Sequence, residues 1–148
     1  MQRHLKITAI LFCIVSALGL LDASYLTYKH YLGGVPPCTL HGCEVVLTSA
    51  QSEFMGIPIA LFGALYYATI LLLSLAYIIS KKEMVLRHTA YLTPAGFLAS
   101  AYFVYLQLFV INAICLYCMA SATTSTILFI LGIYVIIKMR RPFAEKLA

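Results

Sequence analysis

Cys115 and Cys118 stand three residues apart at the start of a long apolar helix pattern, and Cys38 and Cys43 stand in the polar stretch between the first two apolar runs. Thiolates attack disulfides, so two thiol pairs in one small chain point to electron transfer through sulfur. A Cys-x-x-Cys at a helix start puts one sulfur in the first turn. There, unpaired N–H groups and the positive end of the helix dipole favour the thiolate. The second sulfur falls one turn deeper on nearly the same face. Asn112 is read as the N-cap of this helix. One competing reading is a pair of structural disulfides that pin the loop. Another is a zinc site using His41 with the thiolates. A single histidine between the pairs and an oxidising compartment disfavour zinc, so no metal ligand is assigned. Four cysteines permit three full pairings, and the resting one is left open. Cys13 lies mid-span and reads as a small buried hydrophobe.

The elements that must position these sulfurs are membrane helices. Of the 148 residues, 63% are hydrophobic and only 10% are charged, too few charges to cover a soluble domain. Four apolar stretches match the length of a bilayer core, at about 5–28, 57–79, 89–110 and 114–137. Arg3 and Lys6 ahead of the first give it the look of a signal peptide, but no clean cleavage site follows and the helical pattern continues to Tyr31. It is read as a retained span. The expected fold is an all-α membrane protein with a single domain, 1–148. It is a four-transmembrane-helix bundle capped by an extracytoplasmic cysteine loop with a short helix.

Charge placement sets the orientation. Arg3, Lys6, Lys81, Lys82, Arg87, Lys138, Arg140, Arg141 and Lys146 fall on one side of the four spans, and Lys29 falls on the other. The positive-inside rule makes the first side cytoplasmic, with both termini there. Cys38, Cys43, Cys115 and Cys118 then share the extracytoplasmic face, where disulfides persist. The net charge of +5 is thus a topology signal and not a nucleic-acid footprint.

The redox loop, about 33–56, is long for so small a bundle, and long loops are commonly functional. Gly33-Gly34 and Pro36-Pro37 mark a turn before Cys38. Cys43 to Ser49 reads as a short helix lying on the bundle mouth with Val46 or Leu47 inward, shielding Cys43 and leaving Cys38 more exposed. Glu44 favours the start of that helix. Asp22 is the one acid inside a predicted span. It is a candidate proton relay, or a group reaching interfacial water or Lys29. His30 and His41 read as solvated loop residues with proton transfer as the alternative.

The ordered set Cys38, Cys43, Ser49, Gly56-Ile57-Pro58, Gly63, Tyr67 and Cys115-Leu116-Tyr117-Cys118 resembles the vitamin K epoxide reductase family over nearly the whole chain. The resemblance implies a four-helix bundle around a quinone (ubiquinone, menaquinone or a related naphthoquinone). Electrons would pass from the loop pair to the Cys-x-x-Cys pair and on to the ring. Phe54, Phe62, Tyr66 and Tyr67 are expected to wall that ring, and Ser121, three residues past Cys118, to donate a hydrogen bond. Vertebrate epoxide reductases carry an Asn where this chain has Ile59 and a Tyr where it has Ala122, which favours plain quinone reduction over epoxide reduction. Many prokaryotic relatives carry a fused thioredoxin-like domain. This chain ends soon after the fourth span, so a thioredoxin-fold partner is expected in trans, in a prokaryotic cell membrane. The alternatives are a vitamin K quinone or epoxide reductase and a structural membrane protein with loop-bracing disulfides.

Overall fold

The computed structural model of the chain describes residues 2–38 and 42–145, with the backbone alone at 2 and 140–145. Four long helices form the bundle: α1 (Gln2–Tyr31), α3 (Ile59–Ser80), α4 (Glu83–Tyr105) and α5 (Leu116–Glu145). Between α1 and α3 lie a short helix, α2 (Gly42–Leu47), and a hairpin of β1 (Glu53–Phe54) with β2 (Ile57–Pro58). The segments Arg3–Tyr31, Ile59–Ser80, Glu83–Ile111 and Leu116–Met139 are long and apolar enough to cross a bilayer. Helix α1 packs against α3 and α5, and α4 packs against the same two, so the order around the bundle is α1–α3–α4–α5. Leu18, Leu21, Leu72, Ile79 and Ile130 point outward. Such a surface is unstable in water and suits lipid.

The buried core runs from the middle of the bundle to its basic end. Leu5 and Phe12 of α1, Ile70 of α3, Leu86 of α4, and Leu128 and Val135 of α5 are all buried there. Proline at position 94 withdraws the N–H that would have bonded to the Ala90 carbonyl. The Thr93 hydroxyl donates to that carbonyl instead, at 2.8 Å. Gly132 lets α5 approach this point, since a Cβ there would stand 3.1 Å from the Ala90 carbonyl oxygen. In a bilayer such a repair matters, because no water is present to satisfy the freed group.

Turns fix the helix ends. Lys81 takes the left-handed conformation (φ 55°) and its N–H bonds to the Tyr77 carbonyl at 2.8 Å. The chain therefore reverses across Lys81-Lys82, and α4 begins at Glu83, well ahead of position 89. The hairpin pairs Glu53 with Pro58 and Phe54 with Ile57. Its loop, Met55-Gly56, has positive φ at both residues (54° and 79°), the geometry of a type I′ turn.

The end of the third span departs from expectation. Leu106–Ile111 continue α4 as a π-helical turn, and Asn112 closes it at φ 54° with its N–H on the Gln107 carbonyl. Asn112 is thus the C-cap of the third span, not the N-cap of the fourth. A short polar side chain tolerates the left-handed region, which suits Asn to end a helix in this way.

Candidate functional site

Because α5 begins at Leu116, Cys115 occupies its N-cap. Its carbonyl accepts the first helical hydrogen bond, from the Met119 N–H at 3.0 Å. Its sulfur accepts hydrogen bonds from the Cys118 thiol and from the N–H groups of Tyr117 and Cys118. The Cys118 thiol is the strongest of these influences. Together they hold Cys115 below the ordinary thiol range, against burial and the nearby Asp22 carboxylate, which push it up. The Cys115 N–H is itself held by Gln107 Oε1 at 2.9 Å. A π-helical turn carries one extra residue per turn and re-aims the side chains beyond it. Here it accompanies the inward placement of Gln107, which is only 2% exposed.

The loop sulfurs sit directly over this end of α5. Cys38 and Cys43 form a disulfide with their Cα atoms 6.1 Å apart. Cys43 is fully buried in a cluster with Val46 and Cys115, and Cys38, Leu47, Tyr117 and Cys118 pack around it. Val46 is therefore the inward residue of α2, and Cys38 is the more exposed sulfur of its pair. Two local features clamp α2 down. A Cβ on Gly42 would stand 2.7 Å from the Ile114 nitrogen and collide with the Ile114 carbonyl oxygen, so only glycine permits this approach. The Tyr117 hydroxyl, between Cys115 and Cys118 in sequence, donates to the Pro37 carbonyl next to Cys38 at 3.1 Å.

Below the sulfurs opens a chamber of about 600 Å³, roofed by Val46 and Leu47 and walled by Leu26, Phe62, Tyr66, Tyr67, Ala99, Phe103, Gln107, Cys118, Ser121 and Ser125. Cys118 reaches it, while Cys115 lies behind. Phe62, Tyr66, Tyr67 and Ser121 all line the chamber, but Phe54 does not. Successive strand residues face opposite ways, so Glu53 faces the chamber and Phe54 is turned out, 59% exposed, with its ring edge-on to Phe62. Tyr67 crosses the bundle over Gly19. Its hydroxyl donates to the Ser121 carbonyl (2.7 Å) and also meets Ser121 Oγ (3.0 Å) and Thr124 Oγ1 (2.8 Å). It ties α3 to α5 and leaves little capacity for a ligand. The neighbouring Tyr66 lies on Gly96 of α4, with its hydroxyl sealed and unpartnered.

Asp22 has one carboxylate oxygen buried without a partner. Lys29 does not reach it and lies over the Tyr25 ring instead, at 5.8 Å. His30 is also engaged, with Nε2 3.3 Å from the Glu53 carboxylate. His41 lies outside the described residues. Sequence reasoning missed Gln107, Tyr117 and Gly42. Gln107 had a readable signal, as an amide near the end of an otherwise apolar span. The other two depend on contacts between distant segments.

The chain matches the Vitamin K epoxide reductase family over residues 10–133. The chain belongs to that family. The match runs from the first span into the fourth and takes in all four mouth cysteines, so this vitamin K epoxide reductase homologue is an integral membrane protein. Thiol-disulfide oxidoreductase LTO1 of Arabidopsis thaliana is 34% identical over 125 residues, covering 77% of this chain and 33% of that protein. The chain thus spans about a third of the length of that relative.

Proposed function

We propose that this chain is a quinone-dependent thiol oxidoreductase that generates disulfides. Its electrons come from a thioredoxin-fold partner. They enter at Cys38 and Cys43, cross to Cys115 and Cys118, and leave to a membrane quinone. The observation that carries this reading is the burial of Cys43 against Cys115, with Cys118 alone of the four sulfurs lining the chamber. Family membership and the relative's thiol-disulfide chemistry support it. A chamber of about 600 Å³ with apolar walls and a few polar groups has the size and character of a small-molecule site.

The steps balance as disulfide exchange. A partner dithiol reduces the Cys38–Cys43 bond and leaves as a disulfide. Cys43, as thiolate, bonds to the Cys115 sulfur while the Cys115–Cys118 bond breaks and Cys118 departs as thiolate. The hydrogen bonds at the N-cap favour Cys115 as thiolate when it leaves in turn. Cys38 then attacks Cys43, releases Cys115 and restores the loop disulfide. Finally the Cys115/Cys118 dithiol gives two electrons and two protons to the quinone and closes to a disulfide, yielding quinol. The geometry described above, with the loop pair bonded and the inner pair as thiols, corresponds to the state before that last step.

The sulfurs face outward and both termini face the cytoplasm, by the asymmetry of Lys and Arg. Reduction of menadione by dithiothreitol through purified protein tests the function. Cys118→Ala is expected to abolish it. Full turnover in that variant overturns the proposal.

A further inference from the structure

The geometry points to Gln107 as the hydrogen-bond donor for a carbonyl oxygen of the electron acceptor. This inference rests on the quinone reading and adds a specific contact to it. The carboxamide has one acceptor and two donors on separate atoms. The Cys115 N–H can bond only to the acceptor, so the 2.9 Å contact fixes Oε1 on Cys115 and decides which way the amide lies. Its Nε2 must then point away from Cys115. Among the described residues no acceptor is bonded to Nε2, and Nε2 is not one of the sealed, unpartnered atoms, which are Asp22 Oδ2 and Tyr66 Oη. Gln107 lines the chamber together with Cys118, so the open side of the amide is the chamber itself.

A side chain 98% buried in an apolar bundle, with two N–H donors and no acceptor among the described residues, incurs a desolvation cost that a ligand oxygen would offset. The other tyrosine and serine hydroxyls of the inner chamber are less available, since Tyr67 bonds to Ser121 and Thr124, Ser125 donates to Ser100 at 2.7 Å, and the unpartnered Tyr66 hydroxyl is sealed against Gly96. A ketone or quinone oxygen is the matching ligand chemistry, because it accepts and does not donate. The same amide holds the Cys115 backbone, so Gln107 couples acceptor placement to the N-cap sulfur. A donor on that oxygen also favours the charge that develops there as electrons arrive.

The test compares wild type with Gln107→Met in detergent, using menadione as the probe. It reads the dissociation constant and the infrared carbonyl band of the bound probe. Wild type is expected to show a band lowered by hydrogen bonding. In Gln107→Met that band should return to its position in hydrocarbon, and the dissociation constant should rise about tenfold. Identical bands in the two proteins overturn the assignment, whatever the affinity does, and reduce Gln107 to a clamp on Cys115. Should Gln107→Met fail to fold, Gln107→Glu at alkaline pH carries the same test, since a carboxylate still accepts from Cys115 but cannot donate. Wild type that neither binds nor reduces menadione refutes the quinone reading itself. Binding with an unshifted response to substitution refutes this inference alone.

Discussion

Replacing Gly42 with alanine tests the cap more sharply than removing any sulfur, because it leaves all the chemistry in place. The added Cβ would stand 2.7 Å from the Ile114 nitrogen and 3.0 Å from its carbonyl carbon. Carbon atoms in ordinary contact sit near 3.4 Å or beyond, so α2 must withdraw by roughly 0.7 Å or more. Ile114 backbone is not the end of a flexible side chain and cannot swing aside. The withdrawal is applied one residue from Cys43 and one residue from Cys115, the two sulfurs that must meet. A misplacement on the order of 1 Å can cost about 100-fold in rate. Gly42→Ala is therefore expected to slow dithiothreitol-to-menadione turnover by 10- to 100-fold. Thermal unfolding should change little, since the buried core of the bundle includes no residue of α2. Gly34→Ala is the matched control, because a Cβ there meets nothing within 4 Å. Turnover within twofold of wild type in Gly42→Ala would refute the reasoning. So would an equal loss in both glycine variants.

Tyr67→Phe removes a hydroxyl that joins α3 to α5, while the Ser121 carbonyl and the Thr124 hydroxyl keep their bond to each other, and is expected to lower bundle stability by about 1 kcal/mol in a detergent-unfolding assay. Tyr117→Phe frees the Pro37 carbonyl and should make the Cys38–Cys43 bond more readily reduced by external dithiol, seen as faster thiol labelling after a brief reductant pulse. The Cys115 thiolate is favoured chiefly by the Cys118 thiol, so its ultraviolet thiolate absorbance should titrate below the range of a free cysteine. Cys118→Ala should move that midpoint upward, because the neutral thiol loses nothing and the thiolate loses its best donor. An unmoved or lowered midpoint contradicts the N-cap account.

What the chain made legible follows from the length scale of each signal. Four apolar runs of bilayer length, divided by lysine and arginine, express themselves within single segments, and four helices resulted. Val46 or Leu47 was readable as the inward residue because a short amphipathic turn has few ways to lie, and Val46 is the one buried. Helix ends were less legible. Asn112 fits either an N-cap or a left-handed C-cap, and the π-helical turn that decided it depends on where Gln107 and Cys115 meet. Phe54 was grouped with the wall aromatics by type alone, yet strand alternation turned it outward. Gly42 and Tyr117 gain their roles only when the loop folds back over α5. Of the alternatives offered for Asp22, contact with Lys29 is not formed, since the ammonium lies over the Tyr25 ring instead.

The central claim is that Cys43 and Cys115 exchange directly. Changing both Cys38 and Cys118 to alanine removes each resolving partner and leaves those two sulfurs to one another. Peptide mapping of that variant, prepared under mild oxidation, should recover a Cys43–Cys115 disulfide within single chains. Finding the two sulfurs free, or bonded only between chains, would contradict the relay.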